Sequence, residues 1–298
     1  MTTLPLSGVA APATPDGVAA PIATAPPLRR IRSNTRRTPL DLHELWRYRD
    51  LWLTLALRDI KLRYRQTALG VAWVVLLPLL ASGIFTLVFG KIAGLPSDGS
   101  PYFLFVFAGY LGWNAFQNTL QRCGVSLIGN TALVTKVYFP RIILPAASVL
   151  ASLLDFAVGA VMLLLVLLVR GELPAPGMLA LVPLLMLILQ LLALGLGFFS
   201  AALSVRFRDV TYVLPFLIQL LLYASPVAYG VAAVPSSVRR FYLLNPVAPL
   251  LDGLRTALLG RGDIHWLAIG SSALASLAVL AAGTLFFLYQ DRQYADVI

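Results

Sequence analysis

Six long apolar stretches dominate the chain from residue 69 onward. Each reaches or exceeds the roughly 20 residues that an α-helix needs to cross the hydrocarbon core of a bilayer. Charged residues are rare within them, and Asp155 is the only acidic residue well inside a run. The pattern predicts an all-α membrane protein with six transmembrane helices, over about 69–90, 102–121, 142–169, 178–204, 212–233 and 265–289.

The chain before the first run has a different character. Residues 1–40 are rich in Ala, Pro and Thr and then in Arg, which predicts a disordered basic cytoplasmic tail. Over 41–65, Leu and Trp recur at three- and four-residue steps among many cations. This pattern predicts an amphipathic helix lying in the headgroup plane, with a soluble helix packed on another protein as the alternative. Residues 66–298 would then form the six-helix transmembrane domain.

Basic residues set the predicted orientation. Arg58, Lys61, Arg63 and Arg65 stand directly before the first apolar run. Because Lys and Arg beside a first span resist translocation, this side is predicted to be cytoplasmic. Six spans then place both termini in the cytoplasm, with 17 Lys and Arg inside and 6 outside.

The connection between the last two runs, from 235 to 262, carries a second helical pattern. Asn245 followed by Pro246 is a helix-start signal, with Asn as the N-cap. Leucines then recur on one face, while Asp252 and Arg255, three residues apart, lie off it. The pattern predicts two short helices that dip into the outer leaflet without crossing it. They would act as an outer gate or, alternatively, as a surface pair that seals the bundle.

The connection after the second run, from 122 to 145, is too interrupted by Gly129, Asn130 and Lys136 to span the membrane. It is also too apolar for a solvated loop. Two interpretations remain open: a short helix within 124–135 docked on a cytoplasmic partner, or an interfacial turn that joins two spans.

The second run itself is aromatic and carries amides. Seven of the fifteen residues over 102–116 are aromatic. Aromatic and amide side chains share one side of the helix at three- and four-residue steps, and unpaired amides are costly in lipid, so this side should face protein or water. Helix packing combined with an interfacial aromatic belt is the alternative. The residues of this face are Phe103, Phe107, Tyr110, Asn114, Gln117 and Gln121.

Composition narrows the function. Of the 298 residues, 59% are hydrophobic and 12% charged, which excludes an ordinary soluble domain. The net charge of +10 is concentrated before the first span, so lipid headgroups rather than nucleic acid are the expected counterions. One Cys and two distant His residues indicate neither a disulfide nor a metal site. The only Gly-Lys pair is followed by Ile92, so no phosphate-binding loop is present and we expect no ATP hydrolysis by this chain.

Five sequence segments, in this order, resemble the membrane subunit of ABC transporters that export lipid-linked polysaccharides such as O-antigen, capsule or teichoic acid. The resemblance covers about 41–290 and lies in RDIKLRYRQTALGVAW, NTALVTKVYFPRIILP, RFRDV, ASPVAYG and LLNPVAPLLDGLR. It implies a homodimer in the bacterial inner membrane, joined by two copies of a separate ATPase subunit that binds ATP and Mg, with no cofactor in this chain. The implied cargo is a glycan on undecaprenyl diphosphate.

The resemblance also implies roles for particular residues. The 41–65 helix would brace the membrane surface, the segment within 124–135 would couple to the ATPase, and the 236–261 pair would form the gate. The coupling residues would be Leu127, Asn130, Leu133, Lys136 and Arg141; the gate residues Asn245, Pro246, Asp252 and Arg255; and the translocation path Phe103, Phe107, Tyr110, Asn114 and Gln117.

Three other functions are alternatives to polysaccharide export. An ABC exporter permease for a drug or a lipo-oligosaccharide shares the same architecture. An ion-gradient transporter usually carries paired charges at mid-membrane depth, where this chain has only Asp155. A membrane enzyme acting on lipid-linked sugars would need a cluster of charged groups at one interface.

Overall fold

The computed structural model describes residues 42–65, 72–97, 99–235, 242 and 244–291, and all regular structure within them is helical. The helices are α1 Leu42–Arg47, α2 Arg49–Arg65, α3 Ala72–Phe85 with a π-helical continuation Thr86–Ile92, α4 Tyr102–Gly129, α5 Thr131–Lys136, α6 Ile143–Arg170, α7 Pro176–Arg206, α8 Val210–Tyr223, a 3₁₀ turn Val231–Ala233, α9 Val247–Leu259 and α10 Trp266–Asp291.

Four of these segments are long and apolar enough to cross a membrane: α3 with its π-helical continuation, α6, α7 and α10. The described residues therefore form a multi-pass membrane domain. One end of the bundle carries α2 and α5, and we call it the α5 end. The other carries the first turns of α4 and α10, and we call it the α9 end.

α4 is the central helix. It packs against α3, α6, α7, α8 and α9. Its glycines allow close approach: a Cβ added at Gly112 would lie 2.5 Å from the Cδ2 atom of Leu254, and one added at Gly124 would lie 2.4 Å from that of Leu214. Because protein surrounds much of α4, its amides need not face lipid, and the helix tolerates a polar content that a lipid-exposed span would not.

The second helix is longer than its apolar run predicted. The run over 102–121 is only the first part of α4, which continues to Gly129 before Asn130 breaks the geometry with φ −122° and ψ 30°. The predicted separate helix within 124–135 is therefore divided between the last turns of α4 and the six residues of α5.

The fifth run, over 212–233, is not one helix. α8 ends at Tyr223 after 14 residues, and turns follow. Pro226 explains the end, because it has no backbone N–H and restricts Ser225 before it to non-helical conformations. The segment 224–230, made of turns and bends, becomes part of the candidate site.

α9 lies inside the bundle rather than on its surface. Every residue of α9 except Asp252 is buried, against α4, α7, α10 and α6. This burial disagrees with the alternative of a surface pair, because the leucines of α9 meet protein instead of lipid. The first helix of the predicted pair falls largely on residues 236–241 and 243, outside those described.

The tightest crossing joins α7 to α10. A Cβ added at Gly283 would lie 2.2 Å from the carbonyl oxygen of Gly195, and one added at Gly195 would lie 2.7 Å from the backbone N of Leu280. The two backbones are therefore in direct contact, as small residues permit in membrane bundles.

The amphipathic helix predicted over 41–65 is present as α1 and α2, divided at Tyr48. Leu55 and Ala56 of α2 are buried in a cluster with Leu127 of α4 and side chains of α5, α6, α7 and α10, whereas Trp46 is largely exposed. α2 thus packs on the α5 end of the bundle.

Candidate functional site

A buried arginine organises the α9 end. Arg255 of α9 has 3% of its surface exposed, and its guanidinium carbon lies 3.9 Å from the ring centroid of Phe105 on α4. Its Nη1 donates to the carbonyl oxygen of Pro226 at 3.0 Å, and its Nη2 forms an ion pair with Asp252 one turn away. A buried cation is stable only with such partners, so this side chain fixes α9 to α4 and to the segment 224–230.

Asn245 ties the start of α9 to the same segment. Its Oδ1 accepts from the backbone N–H of Val247 at 3.1 Å, which is the capping role predicted for it, although the helix starts at Val247 and Pro246 lies just before it. Its Nδ2 donates to the carbonyl oxygen of Ala224 at 3.2 Å and to the hydroxyl of Ser225 at 3.0 Å.

A third contact comes from the first residue of α4. The Tyr102 hydroxyl donates to the carbonyl oxygen of Ala228 at 2.7 Å. Three side chains hold the backbone of 224–230: one from α4, one from α9, and Asn245, two residues before α9. The segment ASPVAYG was recognised from the sequence only as a family motif, without this place in the fold. Pro226 was the signal that could have located it.

The predicted path residues lie along α4 but differ in accessibility. The rings of Phe103 and Phe107 stack at 6.0 Å with 7° between their planes, and Phe107 is buried within the chain. The Tyr110 ring meets that of Phe85 edge-on at 6.2 Å. Tyr110 is half-buried, whereas Phe107 is inaccessible.

The amides of α4 bond to one another. Gln117 accepts from the indole N–H of Trp113 at 2.8 Å and donates to Oδ1 of Asn114 at 3.1 Å, and Asn118 donates to the same oxygen at 3.3 Å. Asn114 and Gln117 are brought together as their spacing predicted, and both are half-buried. This chain of hydrogen bonds agrees with the alternative in which the amides serve helix packing. Both side chains nevertheless stay partly exposed.

The predicted coupling residues separate into buried and exposed sets. Leu127 has 3% of its surface exposed and lies in the cluster with Leu55, and Leu133 packs against the same cluster. Asn130, at the break between α4 and α5, accepts from Nη2 of Arg58 on α2 at 2.8 Å. These side chains fix the segment to its own chain, so they can act on a partner only by positioning.

Arg141 and Lys136 also differ in whether they contact their own chain or are exposed. Nη1 of Arg141 forms an ion pair at 3.1 Å with Asp291 at the end of α10, whereas Lys136 is exposed. Ile128, Val137 and Tyr138 beside Lys136 are also exposed. We call these four residues the α5 surface.

Among the described residues, no three His, Cys, Asp or Glu side chains come together as they would around a metal ion. The polar groups described above form structural contacts within helices and between them.

A helical, multi-span domain with a polar central helix and a clamped segment at one end is the architecture of a transport protein. The chain belongs to the ABC-2 type transporter family, whose family model matches residues 50–259, from α2 to the end of α9. The chain is similar to the O-antigen export system permease protein RfbA of Myxococcus xanthus, with 27% identity over 259 residues, covering 86% of this chain and 98% of the relative.

Two further relatives extend the comparison. The O-antigen export system permease protein RfbA of Klebsiella pneumoniae is 23% identical over 249 residues, covering 84% of this chain and 95% of the relative. The polysialic acid transport protein KpsM of Escherichia coli is 24% identical over 242 residues, covering 81% and 93%.

Proposed function

We propose that this chain is the transmembrane subunit of an ABC exporter that moves a lipid-linked polysaccharide across the bacterial inner membrane, powered by a separate ATPase subunit. The observation that carries the proposal is the similarity to O-antigen permeases over nearly their whole length, 98% for the relative from Myxococcus xanthus. The match includes α2, α4, α5 and α9, which hold the candidate brace, path, coupling and gate residues.

In this proposal α4 and α8 complete six membrane crossings. α4 has 28 residues, enough to span, and its polar content is explained by its central position. α8 supplies 14 residues, and the turns and bends of the segment 224–230 continue from it. Both termini then lie in the cytoplasm, and the α5 end is the cytoplasmic end.

The α5 surface is the proposed contact with the ATPase. Ile128, Val137 and Tyr138 expose apolar area beside the cation of Lys136, a combination that suits a protein partner. The buried Leu127 and the half-buried Leu133 support this surface from behind. In this proposal, a displacement of α5 is transmitted to α2 through the hydrogen bond between Arg58 and Asn130. It is transmitted to the path through α4, because α4 runs unbroken from the α5 end to the α9 end.

The gate is proposed at the α9 end. Arg255, Asn245 and Tyr102 hold the segment 224–230 closed against α4 and α9. The proposed path follows the side of α4 that carries Tyr110 and Asn114. A homodimer would place two such sides around one pore, where aromatic rings and amides meet sugar faces and hydroxyls.

The proposal is tested by reconstitution. The chain and its candidate ATPase are placed in liposomes, and ATP hydrolysis is measured with and without extracted lipid-linked glycan. Stimulation by the glycan, and none by a panel of drugs or a lipo-oligosaccharide, is expected. Stimulation by a drug or a lipo-oligosaccharide, and none by the glycan, would change the proposed cargo but not the transporter class.

A pair of variants isolates the coupling surface. Ile128→Asp with Val137→Asp should abolish co-purification of the ATPase, because both side chains are exposed and charges there leave the interior of the chain intact. Ile128→Val with Val137→Ile is the matched control and should retain the ATPase. Full association of the ATPase with the Asp variant would place the contact elsewhere.

Sidedness is checked by labelling in a Cys123→Ala background. Ser97→Cys should react from outside intact cells, and Thr135→Cys only after the cytoplasmic face is opened. The opposite result would invert the proposed topology.

A further inference from the structure

A cavity of about 590 Å³ opens at the α9 end of the bundle. Its size falls within the roughly 300–1,000 Å³ typical of small-molecule sites. One wall is the polar side of α9, another is the first turns of α4, and the rim is the connection between α9 and α10. The lining includes Phe105, Asp252, Arg255, Arg261, Asp263 and His265.

The cavity lies at a membrane boundary. Its rim runs into the first turn of α10, one of the four membrane-span candidates. There Trp266 is 59% exposed, and Leu267, which lines the cavity, is 93% exposed. An exposed Trp and Leu at the start of a span are typical of the headgroup level, so the mouth of the cavity faces lipid headgroups.

Among the described residues, the lining carries both signs of charge in equal number. Arg255 and Asp252 form an ion pair with each other, and Arg261 and Asp263 supply one further cation and one further carboxylate. Arg261 is held in place by Glu172 at 3.4 Å and donates to the carbonyl oxygen of Gly99. A purely anionic ligand would meet the two aspartates, and a purely cationic one would meet the two arginines. The lining is complementary to a ligand that itself carries one charge of each sign.

We propose that this cavity binds the headgroup of a zwitterionic phospholipid with a phosphate and a primary ammonium. Arg261 and the His265 ring N–H donate to the phosphate, and the carboxylates of Asp252 and Asp263 accept from the ammonium. The acyl chains leave over Leu267 into the bilayer. This site is independent of the exported cargo.

A sugar is the less suitable occupant. Sugar sites commonly offer an open aromatic face, and among the described lining residues Phe105 supplies the only phenyl ring. Its face is already covered by the guanidinium of Arg255 at 3.9 Å. The apolar rim and the position at the boundary also fit an acyl lipid better than a hydrophilic glycan.

The test is lipid binding to the purified full-length chain, measured by native mass spectrometry during titration with palmitoyl-oleoyl phosphatidylethanolamine, phosphatidylglycerol or phosphatidylcholine. We expect one phosphatidylethanolamine to bind at least tenfold more tightly than either other lipid. Asp263→Asn, an isosteric change at an exposed position, should weaken that binding about tenfold, the size of one charge-assisted hydrogen bond.

Two helix variants provide a steric test. Ala268→Phe places a ring in the cavity and should remove the tightly bound lipid. Ala278→Phe adds the same ring to an exposed position of the same helix and should leave lipid binding unchanged. Elution as a single species confirms that each variant is folded.

Three outcomes would overturn the assignment. These are equal affinity for the three lipids, unchanged binding in both Asp263→Asn and Ala268→Phe, and displacement of the lipid by a soluble oligosaccharide. The last of these would indicate a sugar site instead.

Discussion

Removing the guanidinium of Arg255 should open the segment 224–230. The variant Arg255→Met keeps most of the side-chain length but loses the ion pair with Asp252, the hydrogen bond to Pro226 and the contact with the Phe105 ring. Breaking a buried ion pair by removing one partner typically costs about 3–5 kcal/mol. Because the Asp252 side chain is 19% exposed and gains some hydration, we expect the lower end, about 3 kcal/mol.

Two measurements follow from that magnitude. At roughly 2–4 °C per kcal/mol, the melting temperature of the purified chain should fall by roughly 6–12 °C. In a Cys123→Ala background, Ser225→Cys should resist a thiol reagent, because Ser225 is fully buried, and should react once Arg255→Met is added. The double variant Asp252→Asn with Arg255→Met should recover part of the melting temperature, because it no longer leaves a carboxylate without its cation.

A clamping role for Arg255 is refuted if Arg255→Met melts within a degree of the parent and Ser225→Cys stays protected. That pair of results would mean that α9 is held by apolar packing alone and that Arg255 does not clamp the segment.

Three further perturbations test other parts of the bundle. Gly283→Ala should destabilise the chain by about 1–3 kcal/mol in thermal unfolding, because the new methyl group meets the α7 backbone, whereas Gly270→Ala, in open space on the same helix, should not. Arg58→Gln should lower glycan-stimulated ATP hydrolysis while the ATPase still co-purifies, and an unchanged rate would show that the bond to Asn130 carries no coupling. Tyr110→Leu with Asn114→Ala should shorten or abolish surface glycan with basal ATP hydrolysis intact, and normal glycan would remove this side of α4 from the path.

The sequence predicted those features that depend on local periodicity. The helical conformation of α2 and four of the six apolar runs follow from patterns that repeat within a few turns of helix. Asn245 was identified as a cap for the same reason, since its bond to the Val247 N–H spans two residues.

Long-range contacts could not be predicted from the sequence. The bond from Arg255 to Pro226 joins residues 29 apart, and nothing local indicates it. The burial of α9 could not be predicted either, because an apolar helix face can pack against lipid or protein, and periodicity does not distinguish the two. The end of α4 was placed too early, because the apolar run ends near residue 121, whereas the helix continues to Gly129.

The buried position of α9 has a consequence for biogenesis. Thirteen helical residues rise only about 20 Å, less than the roughly 30 Å of hydrocarbon, so α9 does not cross the membrane as an independent span. Its leucines gain their partners only when α4, α6, α7 and α10 already stand together. We therefore expect α9 to be the last element to settle during synthesis, after α10 has been inserted from the ribosome. In truncated nascent chains that end before Trp266, Ser225→Cys should still react with a thiol reagent, and protection should appear only once α10 has entered the bilayer.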